Sequence, residues 1–421
     1  METGFLHRPI GDALLERTDV PVLILEGARA VGKTTLAKSQ LVEAGYSYVT
    51  LADRATLEFA SQDPQGWAQR LPRPVIIDEA QLVKELPLVL KEIVDGLPLG
   101  NHFILTGSAS IGRQGLGGAD PLVRRADRLT MYPLTAWELG GHPGSIVDLL
   151  FDADIAWKTT PEITDKELLD DFAFGGFPGY VLQREKISRR RLRERIMADR
   201  VASLSRTALP PGELVNTTIA FDCLDAVLRV PGGIFTTTRV SQITGLDSRT
   251  IDRYMEIFGR LFLIEWLVNV STSPAKQAHT RAKIHPVDTS LTVESLERAG
   301  ASILGQRELF GQLLESYVAT QIIPALGWAE GPVTAHFWRQ AGKPVYEVDI
   351  VIDRYGGQSV GIEVKASSRL APSDIKGLRA LRERRGMTRG FVVYTGTEIQ
   401  ELDHEIWALP ISCLYGPGWV A

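Results

Sequence analysis

Apolar residues recur along this chain in two rhythms. Short unbroken runs come first. "VPVLILEG" carries one from Val20 to Leu25, "RPVIIDEAQ" one from Val75 to Ile77, and "HFILTGSAS" one from Phe103 to Leu105. Such runs suit strands covered on both faces of a parallel sheet. "YSYVTLAD", Tyr46 to Asp53, reads as a further strand between the first two. The second rhythm is helical, and it dominates from Ile146 to Thr207. There "DDFAFGGFPGYVLQ" breaks at Gly175-Gly176-Phe177-Pro178 between two helices. "ALPPGEL", Ala208 to Leu214, reads as a linker. "TTTRVSQITGLDSRTIDRYMEIFGRLFLIEWL" then gives a helix, a turn at Gly245-Leu246-Asp247, a second helix capped by Ser248, and a strand, the outline of a winged helix. Near the end, Leu309, Leu313, Leu314 and Val318 recur at helical spacing in "ELFGQLLESYVATQII". "EVDIVIDRYGGQSVGIEVKAS" follows as two strands about a glycine turn, then "PSDIKGLRALRERRG" as a helix and "GFVVYTG" as a strand.

The first strand leads into the sharpest chemical signal. Gly27-Ala28-Arg29-Ala30-Val31-Gly32-Lys33-Thr34-Thr35 has the glycine-four-residues-Gly-Lys-Thr spacing of a phosphate loop, set between a strand and a helix. Backbone N–H groups of such a loop wrap phosphates, and the helix N-terminus adds partial positive charge. Lys33 is expected to reach the β- and γ-phosphates of ATP, and Thr34 to place its hydroxyl on Mg²⁺. Arg29 lies inside the loop, where packing is the alternative to a nucleotide contact. Asp78 ends the "VIID" strand and is the expected second Mg²⁺ holder, with Glu79 beside it as general base for water. Thr106 or Ser108 ends the third strand, where either can sense the γ-phosphate. Arg124, Arg125 and Arg128 cluster after the glycine-rich "GRQGLGGAD", and one of the three, with Arg128 as the candidate, can be an arginine finger across a subunit boundary; a salt-bridged or solvated arginine is the other reading for each.

A second constellation sits near the C-terminal end. Asp349 falls on one strand, and Glu363 and Lys365 lie two apart on the next, so they share a face. Two carboxylates and a lysine so placed can hold a divalent metal beside a phosphodiester. Glu315 closes in from the preceding helix. These carboxylates repel one another unless a cation or Lys365 offsets them, which favours metal ligation by Asp349 and Glu363; a buried ion-pair cluster is the alternative.

Composition narrows the class. The 421 residues are 44% hydrophobic and 23% charged, ordinary for a globular protein of several domains. A net charge of −5 argues against a protein that coats nucleic acid uniformly, while leaving room for local basic tracks. Two such tracks stand out: "REKISRRRLRERIMADR", from Arg184 to Arg200, and the helix Lys376 to Arg385. Arg249, Thr250 and Arg253 start the expected recognition helix. Cys223 and Cys413 show no disulfide or metal spacing, which suits a reducing cytoplasm. The N-terminus lacks a signal-peptide apolar core and no apolar run reaches membrane-spanning length, so no membrane partner is expected.

The whole pattern resembles the prokaryotic AAA-type (additional-strand) ATPases that carry a C-terminal domain of unknown function with a restriction-endonuclease-like fold. The resemblance rests on "GARAVGKTT", "IIDEAQ", "ILTGSAS", "MYPLTAWEL", "FGGFP", "TIDRYMEIFGRLFLIEWL" and "EVDIVID…GIEVKAS". One departure is Asp127-Arg128, where the family tends to have Gly-Arg. The resemblance implies an α/β protein: an ATPase core over 1–145, a helical lid over 146–207, a winged-helix module over 208–290 and the nuclease-like domain over 291–421. It implies Glu315, Asp349, Glu363 and Lys365 as the nuclease-like set, ATP and Mg²⁺ as cofactors, DNA as a partner, and assembly into a ring-like oligomer. Two functions follow. One is an ATPase that remodels, moves along or processes DNA, with the terminal domain gripping or cutting it. The other is a nucleotide-switched regulatory ATPase whose terminal domain does not cut.

Overall fold

The computed structural model describes residues 6–98, 100–111, 120–204, 216–270, 282–340 and 342–420. The expected linker Ala208–Leu214 lies outside them, as does most of "GRQGLGGAD". Contacts divide the chain into two compact units. One comprises residues up to Pro133 with 199–220 and 260–262; the other comprises Leu134–Ala198, Phe221–Gly259 and Leu263 onward.

The first unit is built on five parallel strands: β1 (Val22–Glu26), β2 (Ser47–Thr50), β3 (Val75–Asp78), β4 (Phe103–Gly107) and β5 (Ala126–Thr130), in the order β2-β3-β4-β1-β5. β4 is inserted between the phosphate-loop strand β1 and the Asp78 strand β3. The apolar runs become the sheet core: Val22, Ile24, Val75, Ile77, Phe103 and Leu105 pack with Trp67, Leu86 and Leu90 of the flanking helices. β5 has no such run, since its sequence is ADRLT, and it was invisible to hydrophobic patterning. The parallel sheet and its helices match the P-loop NTPase fold.

The second unit holds a mixed six-stranded sheet of β8 (Val333–Gln340), β9 (Tyr346–Arg354), β10 (Gln358–Lys365), β11 (Arg389–Tyr394), β12 (Gln400–Asp403) and β13 (Ile406–Pro410), in the order β12-β13-β11-β10-β9-β8. β9 and β10 form an antiparallel hairpin about Gly356 and Gly357, as their sequence predicts. β10 and β11 are parallel, joined through the helix Lys376–Arg385, which buries Leu378 and Leu381. Helices Thr237–Thr244 and Ser248–Arg260 precede the antiparallel pair β6 (Ile264–Leu267) and β7 (Lys283–Pro286). The second of these helices is capped by Asp247 rather than Ser248. Its carboxylate accepts from the Arg249 and Thr250 N–H groups at 3.0 and 3.1 Å.

The helices expected as a lid over the nucleotide, 146–207, fall largely in the second unit. Hydrogen bonds explain why. Asp288 accepts from the Gly176 N–H at 2.6 Å, Thr289 Oγ1 donates to the Phe172 carbonyl at 2.8 Å, and Gln321 Oε1 accepts from the Ala136 N–H at 2.7 Å. "FGGFP" is the pivot. Gly175 has φ 59°, and a Cβ on Gly176 would lie 2.0 Å from the Leu134 carbonyl oxygen. Gly176→Ala should therefore cost about 2 kcal/mol or more, because backbone must shift to admit the methyl. Gly179→Ala, where a Cβ meets nothing within 4 Å, is the control. Urea melts should show a lowered midpoint for the first variant and not for the second.

Candidate functional site

The phosphate loop sits at the C-terminal end of β1. Gly27 has φ 155°, and a Cβ there would lie 2.1 Å from the Met131 carbonyl oxygen, so only glycine lets the loop approach this closely. Gly32, at φ 104°, opens the helix that begins at Lys33. Ala30 adopts φ 64° without being glycine, a locally strained turn. Arg29 is exposed at the loop tip, so packing is not its role. Ala28 and Val31 are buried, while Ala30 and Thr35 are exposed.

Lys33 is only 6% exposed, and its Nζ donates to the Gly27 and Ala28 carbonyls at 2.8 Å each. Burial lowers its pKa to about 8, against the opposing pull of Glu79 and Asp78.

Asp78 gathers hydroxyls from three directions. Thr34 Oγ1 donates to Oδ2 at 2.9 Å and Tyr48 Oη to the same oxygen at 2.8 Å, while Thr106 Oγ1 donates to Oδ1. The structure thus brings Thr34, Asp78 and Thr106 into one cluster, with the Thr106 hydroxyl on Asp78. Tyr48 was missed, because nothing in "YSYVT" distinguishes it from an ordinary strand residue. Its phenol is shifted upward by burial and by the carboxylate. A hydroxyl and a carboxylate converging at 2.9 Å form an oxygen pair that suits a hard cation such as Mg²⁺.

Glu79 follows at φ 58°, again left-handed for a non-glycine residue. Its Oε2 accepts from Gln81 Nε2 and from Ser108 Oγ, the latter at 3.3 Å. Ser108 therefore faces Glu79, and Thr106 faces Asp78. Gln81 escaped the sequence reading, although its place in "IIDEAQ" puts it within reach.

The three arginines part company. Arg125 makes a two-pronged pair with Asp95 at 2.6 and 3.0 Å. Arg128, on β5, pairs with Glu26 at 2.7 Å and Asp120 at 2.6 Å and is 14% exposed. A guanidinium held by two carboxylates of its own chain is not free to act as a finger, which corrects the expectation for Arg128. Arg124 is exposed, has φ 65°, and has no partner among the described residues.

The second constellation assembles in the second unit around a residue that the sequence reading did not select. Lys283, on β7, is 2% exposed. Its Nζ reaches Asp349 Oδ1 at 2.7 Å, Glu347 Oε1 at 2.8 Å and Glu315 Oε1 at 2.9 Å. The register Ile362↔Ile350 brings Asp349 to the Glu363 end of β10, and Asp349 Oδ2 accepts the Val364 N–H at 2.9 Å. Glu363 pairs with Lys365 at 2.6 Å, and its Oε2 is buried without a partner.

Burial, with the Asp349 charge added, pushes both Glu315 and Glu363 up to about 8. Burial works on Asp349 in the same sense, yet Lys283 overrides it and holds that carboxyl below its usual range. Lys283 itself is raised despite burial, by Asp349, Glu315 and Glu347. As arranged, these residues do not fit a divalent ion, because an ammonium already occupies the space between the carboxylates. Among the described residues, no group of three or more His, Cys, Asp or Glu side chains is placed to hold one.

The basic tracks are partly spent on internal pairs. Arg189 and Arg193 share Glu297 at 2.7 and 3.5 Å, Arg379 pairs with Asp403, and Arg385 with Asp353 at 3.3 Å. Arg190 and Arg191 project outward, with Glu194 as their ion-pair partner among the described residues. Among the described residues, no helix is long and apolar enough to cross a membrane.

Residues 19–140 match the AAA domain family, residues 310–414 a domain of unknown function (DUF4143), and residues 165–301 a second domain of unknown function (DUF8612). The uncharacterized proteins Rv2008c of Mycobacterium tuberculosis and Mb2031c of Mycobacterium bovis are each 24% identical over 401 residues, spanning 95% of this chain and 82% of theirs. Similar solved structures include the Walker-type ATPase Paby2304 of Pyrococcus abyssi, at 14% identity and a TM-score of 0.41, covering 69% of this chain and 96% of that one. The Thermotoga maritima RuvB Holliday junction branch migration motor is similar at 14% identity and a TM-score of 0.27, covering 70% and 92%. The chain thus carries an AAA-type P-loop ATPase domain in its N-terminal part and a DUF4143 domain in its C-terminal part.

Proposed function

We propose that this protein is a Mg²⁺-dependent ATPase that acts on DNA, with its phosphate loop, Asp78 and Glu79 as the working centre. The observation that carries the ATPase reading is the convergence of Thr34, Thr106 and Tyr48 on Asp78, one residue before a Glu79 oriented by Gln81 and Ser108. Lys33 supplies the ammonium for the β- and γ-phosphates, and the backbone from Gly27 to Thr35 wraps them. Thr34 and Asp78 would hold Mg²⁺, which would neutralise phosphate charge when bound. Glu79 accepts a proton from the attacking water. Thr106 fixes Asp78, and Ser108 with Gln81 fixes Glu79. Arg124 replaces Arg128 as the arginine offered to a neighbouring subunit of a ring-like oligomer, since Arg128 is tied within its own chain. The surroundings are a reducing cytoplasm.

The DNA reading rests on the winged-helix outline of 237–286 and on Arg190, Arg191 and Arg249, which face solvent. The internal pairing of Arg189, Arg379 and Arg385 favours the second reading, a nucleotide-switched regulatory ATPase. ATP turnover measured with and without single-stranded, duplex and branched DNA separates the two. Stimulation by DNA supports the first, and indifference the second.

Glu79→Gln should keep ATP bound while slowing turnover by at least about a hundredfold, the scale of a lost general base. Equilibrium nucleotide binding beside single-turnover hydrolysis checks this, and an unaltered rate would move the base elsewhere.

Lys33 gives a pH dependence of stated sign. Its folded pKa is depressed to about 8, so the ammonium that phosphates need is lost as pH rises through that value. ATP affinity should be level below pH 7 and fall between pH 8 and 9. Lys33→Ala should bind weakly at every pH and lose this dependence; fluorescent-nucleotide titrations read both.

If the outward arginines meet phosphates, the double variant Arg190→Glu with Arg191→Glu should lower the slope of log affinity against log salt by about 0.9 for each phosphate no longer neutralised. A slope equal to that of the parent protein would remove this helix from the interface.

A further inference from the structure

We propose that Lys283 is the built-in cation of the carboxylate centre formed by Glu315, Glu347, Asp349 and Glu363, standing where a divalent metal would have to stand, so that this centre holds the second unit together and does not cut phosphodiesters. An ammonium has three N–H donors and no acceptor. Two are donated to Asp349 at 2.7 Å and Glu315 at 2.9 Å, and Glu347 lies 2.8 Å away as a third ion-pair partner. The three carboxylates come from two elements, the helix Arg307–Ile322 and strand β9, while the lysine comes from a third, β7. Lys283 therefore ties these elements together through one buried atom.

Two further groups of the centre are committed within the chain, while Glu363 Oε2 is buried without a partner. Asp349 Oδ2 takes the Val364 N–H, and Lys365 is turned onto Glu363 rather than held free. A metal ion bound by Asp349 and Glu315 would sit against the Lys283 ammonium, a like-charge contact inside a buried site. Displacing the ammonium instead would strand it without water or partner, at an energetic cost that buried charges do not meet. The proposal does not rest on the ATPase reading, because none of these residues belongs to the unit that carries the phosphate loop.

The test uses the full chain without nucleotide. Mn²⁺ is titrated into the parent protein and into Asp349→Asn, with bound ion followed by electron paramagnetic resonance. The expected result is no stoichiometric binding that depends on Asp349. One tightly bound Mn²⁺ in the parent protein, lost in Asp349→Asn, would overturn the proposal. So would Mn²⁺-dependent cleavage of plasmid DNA that Asp349→Asn abolishes.

Lys283→Met keeps the side chain to within one atom of its length and removes its charge. Its melting temperature should fall by about 5 °C or more and recover in millimolar Mn²⁺, since a ligand that binds only the folded state stabilises it. The parent protein and Lys283→Arg, which keeps a cation, should show no such recovery. An unchanged melting temperature in Lys283→Met, or a loss that Mn²⁺ does not restore, would refute the idea that this ammonium takes the place of a metal. Should Lys283→Met fail to fold at all, the titration of the parent protein still decides the question.

Discussion

Lys283 Nζ lies within 2.9 Å of carboxylate oxygens from Glu315, Glu347 and Asp349, and those buried carboxylates depend on that contact. An isolated ammonium or carboxylate in a protein interior is costly, and removing one partner of a buried pair typically costs about 3–5 kcal/mol. The sequence nevertheless places Glu315 on a core-facing helix and Asp349 on a strand among Val348, Ile350 and Val351, all of which are inaccessible. Those positions are tolerable only with a cation delivered from elsewhere in the chain. β7 delivers it. The packing of β7, β9 and the helix Arg307–Ile322 is thus coupled to a charge balance as well as to apolar burial.

The same constraint organises the first unit by different means. Asp78 is buried at the end of β3 and is met by hydroxyls rather than by a cation. Hydroxyl donors satisfy the Asp78 oxygens without bringing a counter-charge to them. Glu26, by contrast, is neutralised by Arg128 and takes the Ile111 N–H at 2.6 Å. One strand-end carboxylate is thus paired with an arginine and the other is met by hydroxyls, although both terminate buried parallel strands. The comparison explains why Arg128 is tied to Glu26 and Asp120 of its own chain.

Backbone strain marks where the first unit departs from rest. Ala30 and Glu79 occupy left-handed conformations that cost a non-glycine residue of order 1–3 kcal/mol. Both lie on the loops that face the nucleotide position, and both are held by neighbours: Ala30 by the loop between Gly27 and Gly32, Glu79 by Gln81 and Ser108. In the second unit the corresponding device is steric. Gly175 and Gly176 admit the Asp288 carboxylate and the Leu134 carbonyl where any side chain would collide. That close approach draws the "FGGFP" helices into the second unit, whereas their helical pattern alone reads equally well as a lid.

Local sequence was sufficient wherever the chemistry is local. The apolar runs of β1, β3 and β4 specify buried parallel strands, because only a sheet covered on both faces accommodates them. The spacing from Gly27 to Thr34 specifies the phosphate loop, because glycine is needed where φ is positive or a backbone comes within contact. The hairpin about Gly356 and Gly357 follows from its turn and from its alternation. What the sequence could not decide are the partners that arrive from distant positions. Tyr48 reaches Asp78 from 30 residues away, Arg128 reaches Glu26 from 102, and Lys283 reaches Asp349 from 66. Hydrophobic periodicity carries no record of such pairings, since a charged residue in an apolar run reads the same whether its counter-ion is water, a metal or a lysine on another strand. Only the tertiary structure chooses among them, because the energy of a buried charge is set by what lies within about 4 Å of it in space.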